Sequence, residues 1–305
     1  MSTIIIQHDD CFRHDPGPKH PESPRRINAV LSGLEDLRGL ELLPAPRATA
    51  EQIRTVHPLD FWAAIEEQEP AEGRIALDAD TFLNRGSVDA ALRASGGLCF
   101  AIDQILADKA LRAFCAVRPP GHHSEPEQAM GFCLLNHVAI GALHALENPS
   151  IARVAIIDFD VHHGNGTQAV FEKNPDVLFV SSHQVPLYPG TGSAEETGCG
   201  NILNLPLAPG DGGNAFRKAW NQKGLPAVHD FDPDLILVSA GFDAHQRDPL
   251  AHLELEDTDY RWLTEEICEV SRDCSQGRVA SILEGGYDLQ ALASAGREHV
   301  LGLGY

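Results

Sequence analysis

Asp158-Phe-Asp160-Val-His162-His163-Gly-Asn165-Gly is the segment of this chain densest in groups that do chemistry. It follows an apolar, β-branched run, residues 153–157, that reads as a buried strand. Side chains alternate across a strand. Asp158, Asp160 and His162 are therefore expected on one face of its C-terminal end, where open α/β sheets bind ligands. Two carboxylates and an imidazole side by side are costly to a fold unless a cation lies between them. Oxygen and nitrogen donors of these types hold catalytic divalent ions. The competing reading is a polar strand end that caps the next helix. It does not account for the similar clusters elsewhere in the chain.

Those clusters also sit just after apolar runs. Arg118-Pro-Pro-Gly121-His122-His123 follows residues 113–117, Ser239-Ala-Gly241-Phe-Asp243-Ala-His245 closes 235–239, and Glu284-Gly285-Gly286-Tyr287 follows 279–283. Four strand ends that deliver glycine-flanked polar residues to one rim describe an active site, since glycine lets backbone approach a ligand closely. Further strand-like runs are 3–7, 177–181 and 201–205, and helical patterns span 24–37, 60–68, 87–107, 136–145, 215–223 and 257–272. Short apolar strands alternating with helices predict an α/β fold, a parallel central β-sheet with helices on both faces. No stretch reads as a linker, so residues 1–305 are expected to form a single domain.

Composition narrows the function. Hydrophobic content of 43% with 22% charged residues is that of a globular protein. The net charge is −21, from 23 basic and 44 acidic residues. Such a surface repels nucleic acid, attracts cationic substrates and suits a high-salt cytoplasm, where screening removes self-repulsion. The sequence does not separate the last two. No run approaches the ~20 apolar residues of a membrane span. The opening residues lack the basic start and long apolar stretch of a signal peptide. Seven cysteines without CxxC pairing suggest reduced thiols, and a cytoplasmic location is expected.

Taken in order, Pro119-Pro-Gly-His122-His123, Asp158-x-Asp160-x-His162-His163-Gly-Asn165-Gly, Tyr188-Pro-Gly-Thr-Gly192, Gly241-Phe-Asp243-x-His245, Asp248-Pro249 and Glu284-Gly-Gly-Tyr287 resemble the zinc-dependent histone deacetylase family. The His-Gly-Asn-Gly-Thr form of the second motif resembles its class II and bacterial branch, which includes deacetylase-like amidohydrolases and acetylpolyamine amidohydrolases. The resemblance runs from His20 to Tyr287, and six ordered motifs make it specific where a lone His-His pair would not be.

The resemblance implies the arginase-deacetylase fold and assigns Asp160, His162 and Asp243 as ligands of Zn2+, with Fe2+ or Co2+ as other ions such a site accepts. Two carboxylates blunt the acidification of a bound water, so a general base is required. His122 and His123 are implied to face that water, with His123 as proton shuttle, Asp158 holding His122 and Asn165 holding His123. A carboxylate partner stabilises imidazolium more than a neutral amide does, which favours a neutral His123. Tyr287 is implied as the oxyanion donor. Gly131, Phe132 and Tyr188 are implied to line a narrow tunnel. Leu250 stands where polyamine-selective relatives carry an acid. Arg26 is placed beneath the site, to guide acetate out, and Asp80 beside the substrate backbone or amine. A structural K+ site is implied at Asp158, Asp160, His162, Ser181 and Ser182. His163 receives no role beyond a structural one.

The expected function is hydrolysis of an acetylated lysine side chain, in a protein, peptide or free amino acid, with deacetylation of small acetylated amines such as acetylpolyamines as the alternative. An arginase-like two-metal enzyme needs an Asp-x-Asp pair where Gly241 and His245 flank Asp243. A catalytically dead acetyl-lysine-binding module is disfavoured by the intact ligands, histidines and Tyr287. The sequence leaves the oligomeric state open, a homodimer included.

Overall fold

A computed structural model describes residues 3–304. In chain order the elements are β1 (Thr3–Gln7), α1 (Arg25–Leu34), β2 (Glu41–Pro44), α2 (Ala50–Ile53), α3 (Leu59–Gln68), β3 (Arg74–Ala76), β4 (Phe82–Asn84), α4 (Ser87–Leu106), β5 (Arg112–Cys115), α5 (His137–Leu146), β6 (Val154–Asp158), α6 (Asn165–Phe171), β7 (Val177–Gln184), β8 (Ile202–Leu207), α7 (Gly213–Ala219), α8 (Leu225–Phe231), β9 (Leu235–Ala240), α9 (Asp257–Cys274), β10 (Val279–Leu283) and α10 (Leu289–Gly302). Eight strands form one sheet in the order β2-β1-β5-β10-β9-β6-β7-β8. Every neighbouring pair in it is parallel.

The inner strands are apolar at nearly every position because helices cover both faces of the sheet. All residues of β6, β9 and β10 are buried. On one side α4 packs on β1, β5 and β10, and α5 on β6 and β9. On the other, α10 lies between α1 and α9. His299 ties α10 down: its ring is within 2.7 Å of both Thr264 Oγ1 of α9 and Ser281 Oγ of β10. No helix among the described residues is long and apolar enough to cross a membrane.

The strand order places the chemistry. β5, β10, β9 and β6 are four consecutive strands at the middle of the sheet, so the four loops carrying the polar motifs leave one rim side by side. Register keeps their ends level: Asp158 and Ile282 both pair with Ser239, and Leu283 pairs with Ala240.

Three local features differ from the sequence expectation. β6 stops at Asp158, so strand alternation does not carry Asp160 and His162. The helical pattern at 215–223 breaks into α7, a wide turn at Trp220–Gly224 and α8. α10 escapes a hydrophobic-period reading because its inward face is Ala291, Ala295, Gly296 and His299 beside a few large apolar groups.

Beneath the rim lies a buried ionic cluster. Glu22 accepts from Arg118 Nε at 2.7 Å and Arg26 Nη1 at 3.2 Å, and both guanidiniums are fully buried. Burial pushes the Glu22 carboxyl up, but Arg118 and then His14 hold it well below the usual carboxylate range. Losing one member of such a cluster costs about 3–5 kcal/mol, because the remaining charge stays buried.

Candidate active site

The segment after β6 is coiled by its own side chains. Asp158 Oδ1 accepts from the Asp160 N–H at 3.1 Å, and Asp160 Oδ1 from the His162 N–H at 2.9 Å. These successive Asx-type turns bring the three residues together where a continuing strand would have spread them. Asp243, from the loop after β9, accepts the Val161 N–H at 2.9 Å. Asp160 Oδ2 accepts the Gly285 N–H at 2.8 Å. Each carboxylate is thus oriented by the loop of another strand. A Cβ at Gly285 would lie 2.1 Å from Asp243 Oδ2, so the loop after β10 reaches this position only as glycine.

Asp160, His162 and Asp243 present ligand atoms within 4.8 Å of one another, and all three are buried. His162 Nδ1 lies 3.0 Å from Asp160 Oδ1 and 3.1 Å from Asp243 Oδ2. Burial opposes charge on this imidazole, yet the Asp160 and Asp243 hydrogen bonds push it up to about 10. Two buried carboxylates therefore converge on a point that calls for positive charge, and the donor set suits zinc, iron(II) or cobalt(II).

The adjacent histidines occupy opposite electrostatic states. His122 Nδ1 is 3.0 Å from Asp158 Oδ2. Burial works against its charge, but Asp158 and Asp160 raise it to about 10. His123 Nδ1 is 2.8 Å from Asn165 Oδ1. The Asn165 amide is oriented by Glu125, whose Oε1 accepts from Asn165 Nδ2 at 2.8 Å. The oxygen therefore faces His123, whose Nδ1–H donates, and Nε2 keeps its lone pair. Burial, then the positive charge of His122 and His162, push His123 well below the ordinary histidine value. The His122–His123 loop rests on buried Glu284. One of its oxygens accepts the Gly121 and His122 N–H groups at 2.6 and 3.1 Å, and the other the Ser239 hydroxyl at 3.1 Å. Glu284 has no role expected from the sequence, although its position directly after an apolar strand was the available signal.

A cavity of about 210 Å³ opens onto these groups. His123, His162 and Tyr287 contribute to its lining, and so do the expected Asp80, Gly131, Phe132, Tyr188 and Leu250. Leu187 is a further wall residue that sequence reasoning missed. Phe132 stands edge-on to Tyr287 at 5.9 Å, and Tyr188 edge-on to His123 at 5.1 Å. Gly131 and Phe132 both have positive φ, 57° and 69°, and the Phe132 N–H donates to Thr81 Oγ1 at 3.0 Å. A Cβ on Gly131 would come within 2.5 Å of the His123 ring. Burial, then Asp78, raises the Asp80 carboxyl above its ordinary value. Burial likewise holds the Tyr287 phenol protonated, well above its ordinary value.

Arg26 does not line the cavity. Its Nε donates to the Gly286 carbonyl at 2.7 Å, its Nη2 to the Glu284 carbonyl at 2.5 Å, and its guanidinium sits 4.9 Å from the Tyr287 ring centroid. It supports the glycine turn from below.

His163 holds the loop that carries Tyr188. Its Nε2 is 2.9 Å from Gln168 Oε1, and Gln168 Nε2 donates to Glu196 Oε2 at 2.6 Å. Its Nδ1 accepts from the Thr191 hydroxyl at 2.8 Å, and Glu196 accepts from the Gly192 and Ser193 N–H groups. The two serines expected at a K+ site have protein partners: Ser181 Oγ lies 2.9 Å from His183 Nδ1, and Ser182 Oγ accepts from Trp220 Nε1 at 3.1 Å.

Comparison with known proteins fits this geometry. Residues 20–303 match the histone deacetylase domain family. The histone deacetylase-like amidohydrolase of Pseudomonas aeruginosa is 38% identical over 272 residues, covering 88% of this chain and 71% of that protein. A probable deacetylase of Archaeoglobus fulgidus is 36% identical over 95% of this chain and 82% of its own length. The crystal structure of the HDA15 HD domain superposes with a TM-score of 0.93 at 32% identity, covering 99% of this chain and 88% of that one. The chain belongs to the histone deacetylase family, whose members are deacetylases and amidohydrolases.

Proposed function

We propose that the protein is a zinc-dependent amidohydrolase that removes acetyl from the side-chain amine of acetylated lysine and releases acetate. The observation that carries this reading is the cavity itself. Its lining combines Phe132, Leu187, Tyr188 and Leu250 with the imidazoles of His123 and His162 and the phenol of Tyr287. An alkyl chain fits such walls, and an amide at its tip meets the polar groups.

A divalent cation held by Asp160, His162 and Asp243 would supply Lewis acidity for the attack of water on the amide carbonyl. His123 takes the proton of that water at Nε2, the lone pair its Asn165 contact leaves free, and returns it to the departing amine as the C–N bond breaks. His122, charged beside Asp158, adds positive potential where the carbonyl oxygen gains negative charge. Tyr287 donates its O–H to that oxygen. The apolar walls exclude bulk water and strengthen each of these interactions.

Tyr287→Phe keeps the ring and deletes only the donor. It is expected to lower kcat and kcat/KM together by roughly 10²–10³-fold with KM nearly unchanged. The loss should shrink on a trifluoroacetyl substrate, whose carbonyl accepts attack more readily. Near wild-type rates on the ordinary acetyl amide would leave Tyr287 a wall residue only.

Steady-state kinetics on acetyl-lysine peptides, free acetyl-lysine and acetylpolyamines test the substrate assignment. The expected order has acetyl-lysine substrates at the higher kcat/KM, since Leu250 makes its wall apolar and leaves Asp80, expected beside the substrate backbone or amine, as the carboxylate in the lining. A preference for acetylpolyamines overturns the lysine assignment and leaves the amidohydrolase chemistry standing.

A further inference from the structure

Asp248 belongs to none of the roles assigned so far, yet its carboxylate is buried between the two loops that meet at the cavity. Oδ2 accepts the Tyr287 N–H at 2.7 Å and the Asp288 N–H at 3.3 Å, and Oδ1 accepts the Leu250 N–H at 3.0 Å. Its own N–H donates to the His245 carbonyl at 2.8 Å, which closes the turn that presents it. The neighbouring Arg247 turns away, 3.3 Å from Asp288 and hydrogen-bonded to Gln290. A buried carboxylate satisfied by main-chain donors alone is retained for what it positions, because burying a charge without a cationic partner is costly.

What it positions is the phenol-bearing turn. The two residues before Tyr287 are glycines, and Gly286 has φ +121°, so the chain there has little stiffness of its own. Arg26 holds the turn by the carbonyls of Glu284 and Gly286, and Asp160 holds it by the Gly285 N–H. Asp248 is the side chain that fixes the main chain of Tyr287 itself. The same carboxylate fixes Leu250 on the cavity wall.

We propose that Asp248 is a positioning residue for Tyr287, setting the phenol against the substrate carbonyl and coupling that placement to the Leu250 wall. The inference rests on the oxyanion role proposed for Tyr287. Asparagine has the shape of aspartate but only one acceptor oxygen, so Asp248→Asn turns an N–H against another N–H on one side. The stability of the turn need not collapse, but the aim of the phenol is lost.

A double-mutant cycle tests this. Asp248→Asn is expected to lower kcat by roughly 10–100-fold, as loss of a residue that orients a reacting group does, with KM changed far less and bound metal retained. In a Tyr287→Phe background the same substitution should cost no more than roughly twofold, because coupled residues are non-additive and independent ones are not. Equal losses in both backgrounds, or no loss in wild type, overturn the inference while the role of Tyr287 stands. If Tyr287→Phe alone costs nothing, the oxyanion reading fails and the inference falls with it. Asp248→Ser, which can still accept one N–H, runs through the same cycle should Asp248→Asn not fold, and its outcomes decide in the same way.

Discussion

Exhaustive chelation is expected to abolish amide hydrolysis, and re-addition of about one equivalent of zinc, iron(II) or cobalt(II) per chain to restore it. The reason is electrostatic before it is catalytic. Asp160 and Asp243 are buried, and the His162 imidazole lies within 3.1 Å of both. Each carboxylate already spends an oxygen on a backbone N–H of another loop, so neither can turn away to find solvent. The fold therefore aims two buried carboxylates at one point beside imidazoles that lean toward the charged form, and a divalent ion bound there would take the place of the proton on His162. Elemental analysis of the purified protein gives a readout independent of turnover. It should find about one equivalent, and Asp243→Ala should lose most of it. Undiminished turnover after complete metal removal would sink the mechanism, and Asp243→Ala protein with full metal content would remove Asp243 from the ligand set.

Much of this site was legible in the sequence because it is built from residues that follow apolar strands, and strand order then does the gathering. Asp243 and Tyr287 lie on separate loops, yet β9 and β10 are neighbours in register. The expected parallel sheet with helices on both faces is what the chain adopts. Asp158, Asp160 and His162 do not share one face of a strand end as expected: Asp160 and His162 meet Asp243, while Asp158 pairs with His122. The strand ends at Asp158, and side-chain-to-backbone bonds gather the next two residues. Other features had no local signal. Asp248 holds the main chain of Tyr287, far away in sequence, and no spacing rule announces a carboxylate that binds backbone. β2 is an exposed edge strand ending in proline, and α10 faces inward with small residues, so neither carries the apolar period that marks an element. Arg26 was expected beneath the site and is there, but its donors hold the Glu284 and Gly286 carbonyls.

The two histidines provide the sharpest separation of roles, because chain neighbours have been given opposite partners. His123→Ala is expected to lower turnover by roughly 10²–10⁴-fold, the loss a general base leaves behind, while metal stays bound. His123 donates no ligand to the triad, so its removal should not touch metal content. Its fitness as a base comes from two physical facts. Burial and the positive charge of His122 push it toward the neutral form. Asn165, fixed in turn by Glu125, takes the proton side of the ring and leaves Nε2 as the acceptor. Asn165→Ala should therefore reproduce part of the His123 defect without removing the imidazole, through loss of orientation. His122 stands in the other state, held charged by Asp158 and Asp160. A cation already in place cannot accept the proton of an attacking water. It stabilises negative charge as that charge develops, so His122→Ala should cost less than His123→Ala. It also leaves Asp158 buried without its partner, and a drop in Tm should accompany it. If His122→Ala instead proves much worse than His123→Ala at every pH, and metal content is unchanged in both, the proton shuttle is His122 and the asymmetry read from Asp158 and Asn165 points the wrong way.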